Sequence, residues 1–189
     1  MAAARTLLSD VGAEGVSMRA VALGAGVTPG ATYRHFPNKD ALVRRVVAEA
    51  FEKLESQIGP SLAKFPVGAF ERISELGRMY IAFARTNPAD YRLLFAPRGE
   101  NRPPVELEPG FGPVRVLEQC VRDCIAAGVM ADHDPRLIAL LLWSRMHGLI
   151  SLFLSFDFSK EYPGLDLETG LETVADTTRS YLLDGLRRR

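Results

Sequence analysis

The sequence is poor in cysteine and has no excess of charge of either sign, and both shortages exclude classes of protein. Only two of the 189 residues are cysteines, Cys120 and Cys124. Their i,i+4 spacing within an apolar helical pattern fits reduced thiols rather than a disulfide framework. The 23 basic and 23 acidic residues cancel, so the whole chain carries no polyanion signal. A nucleic acid would have to be bound by local charge.

Strand-like alternation, internal repeats and a secretory signal are also missing. Almost every segment instead repeats its apolar residues with the period of an α-helix, which predicts an all-α protein. The start, Met1 to Arg5, has no apolar run of the kind that signal peptides contain, and we expect a cytoplasmic protein. The run Leu137–Phe156 is long enough to span a membrane. Because Arg145 and His147 lie at its middle, we expect no membrane partner.

Motifs of catalysis are lacking as well. We find no glycine-rich phosphate loop, no nucleophile elbow, no Cys/His metal spacing and no convergent carboxylate pair. The sequence therefore predicts a protein that is not an enzyme and needs no cofactor or metal. Cys120, Cys124 and His133 are three candidate metal ligands with Met130 as a poor fourth, which is too small a set for a metal or redox centre.

What the sequence does contain, near its start, is a pair of short predicted helices joined by a tight turn. Ser17 caps the first, and Gly26 is placed to turn the chain. Thr28 and Pro29 open the second, which ends before Pro37. This spacing is typical of a helix-turn-helix, whose second helix lies in the major groove of DNA. Six basic residues outnumber three acidic ones between Met1 and Arg45, so the local charge agrees.

The outward side of the second helix and the residues leading to it supply candidate DNA contacts. Phosphate contacts give most of the affinity of such a site, and base-edge contacts give its sequence preference. Arg19 and Arg34 are suited to reading guanine or clamping phosphate, but ordinary solvated surface is the other interpretation, and both stay open. The candidates are Ser17, Arg19, Thr28, Pro29, Gly30, Ala31, Tyr33, Arg34 and His35.

The remainder of the chain predicts a helical bundle. Its helix from Asp134-Pro135 onward is apolar nearly all round, and such a helix is covered on every side. In a short chain the most economical cover is a second copy, with the last two helices of each subunit forming a four-helix contact. We predict a DNA-binding domain over 1–45 and a ligand-binding and dimerisation domain over 46–189. The predicted interface residues are Leu142, Ile150, Phe153, Leu171, Val174, Thr178 and Tyr181.

Aromatic and sulfur-containing side chains recur in this second domain. They are core residues by default, but a pocket between the helices would be lined by the same residue types, and both interpretations stay open. His147 is either a ligand contact or acid–base group, or a core histidine whose hydrogen bonds are satisfied. The candidate ligand-binding residues are Tyr80, Phe83, Tyr91, Phe95, Phe111, Cys120, Cys124, Trp143, Met146 and His147.

Several stretches resemble the TetR family of bacterial transcriptional regulators. Between Leu7 and Leu42 these are Ser17-Met-Arg-Ala-Val-Ala, Ala25-Gly-Val-Thr-Pro-Gly and Tyr33-Arg-His-Phe-Pro-Asn-Lys-Asp-Ala-Leu. Further on, Asn87-Pro-Ala-Asp-Tyr-Arg-Leu-Leu-Phe and Trp143-Ser-Arg-Met-His-Gly-Leu are similar to the ligand-binding half of one branch of that family. Thr32 stands where the family more often has a leucine.

The resemblance implies that Tyr33, His35 and Lys39 contact the DNA backbone. The chain begins inside the first helix, without the basic residues that usually precede it in the family, so we expect either a truncated amino terminus or a lower DNA affinity. The function predicted is a ligand-responsive regulator, a repressor that binds a palindromic operator as a homodimer and is released by a small hydrophobic effector. The alternative is a helical carrier or enzyme that uses the same pocket.

Overall fold

The computed structural model describes residues 1–95, 112–167 and 169–186, except for the side chains of Ala13 and Glu14. Across these residues the chain is all-α, as predicted, and no strand forms. Most of the predicted loop between Ala96 and Pro113, and with it the candidate Phe111, falls outside the described residues. In chain order the helices are α1 (Ala2–Gly15), α2 (Met18–Gly24), α3 (Pro29–His35), α4 (Lys39–Glu55), α5 (Ile58–Leu62), α6 (Phe70–Thr86), α7 (Pro88–Phe95), α8 (Gly112–Ala126), α9 (Pro135–Ser155) and α10 (Gly170–Leu186).

By their internal contacts, Met1–Lys53 and Asn87–Glu106 form a first unit. Its core is a cluster of side chains from α1, α2 and α4, and Leu93 of α7 packs against that cluster. Asp90 of α7 is buried, and its carboxylate pairs with Arg5 of α1 at 3.2 Å and with Lys53 of α4 at 3.4 Å. Helix α7 therefore packs with the amino-terminal helices, although α6 of the second unit precedes it in the chain.

Local sequence signals account for the ends of the first helices. Gly12 has a φ of 69°, so regular helix is interrupted there inside α1. Ser17 caps α2 by accepting a hydrogen bond from the backbone N–H of Ala20 at 3.1 Å. Asn38 caps α4 in the same way, accepting from the N–H of Ala41 at 2.9 Å. Each cap satisfies a helix N–H that has no partner within the helix.

The second unit comprises Leu54–Thr86 and Leu107–Arg189. Its core joins buried side chains of α5, α6, α8, α9 and α10. Asp134 caps α9 by accepting from the backbone N–H of Arg136 at 2.9 Å. The hydrogen bonds from the Arg136 side chain, and then that backbone bond, lower the pKa of Asp134 to about 2. Asp134 is therefore ionised across the physiological range and suits the positive end of a helix.

Helix α9 is covered on one side only within the single chain. Ile138, Leu142 and Ile150 face the core, whereas Leu137 is 65 % exposed and Leu141 is 46 % exposed. By length and composition α9 is also long and apolar enough to cross a membrane, but the core helix of a globular protein passes the same test. The cover predicted for every side of this helix is thus incomplete within one copy.

One predicted boundary is wrong. The apolar residues between Leu42 and Ile58 repeat with helical period, which predicts a fourth helix that ends at Gly59-Pro60 and a hinge from Gly59 to Pro66. Instead α4 ends at Glu55, and Ile58–Leu62 forms α5. Pro60 is accommodated because it lies in the first turn of the new helix, where its missing N–H has no intrahelical acceptor. Ile58 and Leu62, one turn apart, are both buried and fix this short helix to the core.

Candidate nucleic-acid interface and ligand-binding cleft

Helices α2 and α3 are joined by a tight turn of the kind expected for a helix-turn-helix. Gly26 adopts a φ of +67°, a left-handed conformation that glycine reaches without steric cost. The N–H of Val27 donates to the carbonyl of Ala22 at 3.0 Å and closes the turn. Ala22 is fully buried, so its small side chain allows the predicted close packing at this crossing. The local sequence therefore sets the start of α3.

Helix α3 buries its inner side and exposes the other. Thr32 is the buried residue of the helix, while Tyr33 is 55 % exposed. Thr28 occupies the N-cap position, but its side chain makes no capping hydrogen bond, which leaves its hydroxyl available to a ligand. The exposed candidates are Ser17, Arg19, Thr28, Pro29, Gly30, Tyr33, Arg34 and His35, and Ala31 and Lys39 are half-buried.

Two of the basic candidates, Arg19 and Arg34, keep their charge available for a polyanion. Arg34 and His35 lie in the last turn of α3. Within the described part of the chain, neither Arg19 nor Arg34 forms an ion pair or a side-chain hydrogen bond. A guanidinium has five N–H donors and no acceptor, so it matches phosphate oxygens or the acceptor edge of guanine. The exposed guanidinium groups of Arg19 and Arg34 are therefore suited to contact nucleic acid.

The candidate ligand-binding residues divide between the two units. Tyr91 and Phe95 lie in the first unit, with ring centroids 4.9 Å apart. The others that are described belong to the second unit. There Trp143 is half-buried and donates its indole N–H to the hydroxyl of Tyr80 at 3.3 Å. The buried candidates of this unit are Tyr80, Phe83, Cys120, Cys124 and Met146.

Burial favours the neutral form of three candidate ligand-binding residues, His147, Cys120 and Cys124. Burial lowers the pKa of His147, whose Nε2 lies 3.4 Å from the hydroxyl oxygen of Ser151. Burial raises the pKa of the Cys120 thiol against the opposing effect of Arg72, and raises that of Cys124 to about 11. Protonated buried thiols are poor nucleophiles and poor metal ligands. Among the described residues, no group of three or more His, Cys, Asp and Glu side chains is placed to hold a metal.

The predicted interface residues occupy different environments in the single chain. Ile150 and Leu171 are 0 % exposed, so a second copy would remove no further surface from them. Val174 and Thr178 are half-buried, and Tyr181 is 78 % exposed. Leu142 and Phe153 are buried as well.

The second unit contains a cleft whose lining residues were not predicted from the sequence. Its volume is about 690 Å³, and its walls come from the end of α4, from α5 and α6, and from the start of α8. None of the candidate ligand-binding residues that the structure describes lines it. The residues that do are Glu55, Ile58, Gly59, Leu62, Ala63, Arg72, Gly112 and Val116. The segment with α5 had been predicted as a hinge, and a lone arginine at the start of α6 carried no motif.

Comparison with known families identifies the chain. The family described as "Bacterial regulatory proteins, tetR family" matches residues 1–46, which hold the exposed α3. The family described as "Tetracyclin repressor-like, C-terminal domain" matches residues 73–178. The chain therefore belongs to the TetR family, and the resemblance noted in the sequence is confirmed.

Individual relatives agree with this assignment. An HTH-type transcriptional regulator of Mycobacterium bovis is 29 % identical over 136 residues, which are 70 % of this chain and 56 % of that protein. The chain thus spans little more than half the length of this relative.

Solved structures show the same fold. A protein of unknown function from Rhodococcus sp. RHA1 has a TM-score of 0.75 and 24 % identity, covering 99 % of this chain and 93 % of its own. FadR of Bacillus subtilis, solved in complex with stearoyl-CoA, has a TM-score of 0.78 and 14 % identity, covering 98 % and 96 %.

Proposed function

We propose that this protein is a ligand-responsive transcriptional repressor. A homodimer binds a palindromic operator through residues 1–45, and residues 46–189 bind a small hydrophobic effector and hold the dimer together. The observation that carries the proposal is the exposed side of α3, which presents Thr28 at the start of the helix and Tyr33, Arg34 and His35 in its last turn. No catalytic step, cofactor or metal is part of the proposal.

The two α3 helices of the dimer enter successive major grooves on the same face of the DNA. In this arrangement the half-sites are separated by one helical turn, about 34 to 36 Å. Lys39, at the start of α4, contacts the backbone next to α3. The effector releases the DNA only if it binds the DNA-incompetent state more tightly than the competent one.

The uncovered side of α9 supports the homodimer. Leu137 and Leu141 are exposed one turn apart, and Ser144 continues the same side. A Cβ added at Gly148 would meet no atom within 4 Å, so a second helix has room to approach closely there. Leu152 extends the apolar surface by a further turn and is also exposed. Continuous exposed apolar surface of this kind marks an interaction site.

The first prediction concerns Tyr33. The full chain is used to select DNA from a random pool, and affinity for the selected operator is then measured by fluorescence anisotropy. We expect Tyr33→Ala to reduce the affinity at least tenfold because it removes a large exposed contact from α3. Tyr162→Ala is the matched control, since Tyr162 is 52 % exposed and lies outside α3. This variant should bind like the wild type.

Salt dependence tests the same interface. Release of counterions from DNA should weaken wild-type binding tenfold or more from low to moderate salt. Selection of no preferred sequence, binding that is independent of salt, or equal affinity of the Tyr33→Ala and Tyr162→Ala variants would each contradict the proposal.

A further inference from the structure

The cleft between α5, α6 and α8 has the dimensions and the mixed lining of a small-molecule site. Its volume of about 690 Å³ falls within the range of about 300 to 1,000 Å³ that ligand sites occupy. Ile58, Leu62 and Val116 give it an apolar wall, and Arg72 and Glu55 bring one charge of each sign. All of its lining residues belong to the second unit.

Arg72 is a half-buried cation whose hydrogen-bonding capacity is only partly used. Its Nη1 donates to the carbonyls of Leu62 and Phe65, at 3.3 Å each. Its Nε is buried without an acceptor in the described part of the chain, and no carboxylate there forms an ion pair with it. A buried donor without a partner and a charge without a counter-ion are both costly. An anionic group bound in the cleft would relieve both.

The acidic group of the cleft is differently placed. The carboxylate of Glu55 lies directly against the backbone of Gly112, in the space that a Cβ at position 112 would occupy. Gly112 begins α8, and the start of a helix carries unpaired N–H groups and a partial positive charge. Glu55 is also exposed to solvent. Its charge is therefore stabilised by water and by the start of α8, whereas the charge of Arg72 has no counter-ion in the described part of the chain.

The thiol beside Arg72 does not supply the missing anion. Burial keeps the pKa of Cys120 above its usual value in spite of the arginine, so the thiol stays protonated at physiological pH. Two acids, Asp123 and Glu71, further raise the pKa of the neighbouring thiol of Cys124. Neither acid forms an ion pair with Arg72 in the described structure.

We propose that this cleft binds an amphipathic anion, an apolar chain with a carboxylate or phosphate head. The chain lies on Ile58, Leu62 and Val116, and the head accepts hydrogen bonds from the guanidinium of Arg72. The match is favourable because a charge-assisted hydrogen bond is about twice as strong as a neutral one. Binding itself is independent of the function proposed above, which enters only where this anion is equated with the effector that releases DNA.

The test compares probes that share a chain and differ in the head group. Decanoate and decyl phosphate, each below its micellar concentration, and decanol, below its solubility limit, are titrated into the full-length protein by calorimetry. We expect at least one of the two anions to bind at least about tenfold more tightly than decanol. The preferred anion tells a carboxylate ligand from a phosphate ligand.

Two substitutions, each of which removes one charge, should have opposite effects and assign the selectivity to the cleft. Arg72→Gln should lower the affinity for the anions to the level of decanol and leave decanol binding unchanged. Glu55→Gln removes the opposing charge and should raise anion affinity several-fold. Arg78→Gln is the matched control, because Arg78 is exposed on the same helix and pairs with Glu75 at 2.9 Å.

Equal binding of anions and decanol by the wild type, absence of binding by every probe, or an equal loss of anion and decanol binding in Arg72→Gln would each overturn the proposal. If Arg72→Gln does not fold, lower or unchanged anion affinity in Glu55→Gln overturns it. Anion binding that leaves operator affinity unchanged would overturn the identification with the effector. A protein that binds no DNA but shows the Arg72-dependent anion selectivity would support the cleft and refute only the repressor function.

Discussion

At the scale of single residues, Thr32 places a polar hydroxyl group in a buried position. Its side chain is buried beneath α3, and its Oγ1 has no hydrogen-bond partner among the described residues. A buried hydroxyl without a partner costs about 1 to 3 kcal/mol. The inner side of α3 is therefore less stable than an apolar residue of the same shape would make it.

Replacing this hydroxyl by a methyl group should stabilise the protein. We expect Thr32→Val to raise the free energy of unfolding by about 1 kcal/mol, measured by urea unfolding followed by circular dichroism. Operator affinity should stay unchanged, because Thr32 lies on the side of α3 away from the exposed candidates. The control Thr6→Val, at an exposed position of α1, should change stability by less than about 0.5 kcal/mol. A destabilised Thr32→Val variant would show that the hydroxyl has a partner in solution.

At the scale of elements, the turn between α2 and α3 orients the proposed recognition helix. Gly26 has a φ of +67°, and no atom lies within 4 Å of the position of an added Cβ. The effect of a substitution there is thus backbone strain without a steric clash. Gly30 also has open space around it but belongs to α3 and has no left-handed φ, so the two glycines form a matched pair.

The pair predicts effects of opposite sign. Gly26→Ala should lower the free energy of unfolding by about 1 to 2 kcal/mol because an L-residue is forced into the left-handed region. Gly30→Ala should raise it by up to about 1 kcal/mol, since alanine is the better helix former. Urea unfolding of both variants checks this, and a Gly26→Ala variant as stable as the wild type would contradict the role of the turn. Although the Gly30→Ala variant should be more stable, its operator affinity should fall, because Gly30 lies on the exposed side of α3.

At the scale of the whole molecule, the main feature is the apolar side of α9 that a single chain leaves exposed. The side of this helix that is buried within the single chain includes Leu142, Ile150 and Phe153. The surface left for a second copy is therefore the neighbouring side, with Leu137, Leu141 and Leu152 and the small residues between them. Of the interface residues predicted from the sequence, Tyr181 is the one that the single chain leaves mostly exposed.

A charge on that side should separate the subunits. We expect the wild type to sediment at twice the chain mass of 20.8 kDa and Leu141→Arg to sediment at the single mass, because an arginine would be buried without a partner in the dimer. Operator affinity should fall with it, since one subunit reaches one half-site. The control Val67→Arg, at an exposed position outside α9, should remain dimeric. A wild type that stays single at the highest concentration reached would refute the dimer.

The helix ends and the helix-turn-helix could be predicted because their causes lie within a few residues. Ser17, Asn38 and Asp134 bond backbone groups two or three positions further along, and Gly26 acts on its own φ. The boundary near Pro60 was predicted wrongly because α5 depends on burial of Ile58 and Leu62 in a core built from distant segments.

By itself the sequence determined the all-α class, the caps, the exposed composition of α3 and the family. Short-range hydrogen bonds and helical periodicity suffice for these features. Only the tertiary structure decided that α7 packs with the amino-terminal helices, which side of α9 stays exposed, and that Arg72 lines a cleft with no counter-ion among the described residues. Each of these depends on which distant side chains compete for the same space, and helical spacing shows that a side is apolar without showing what covers it.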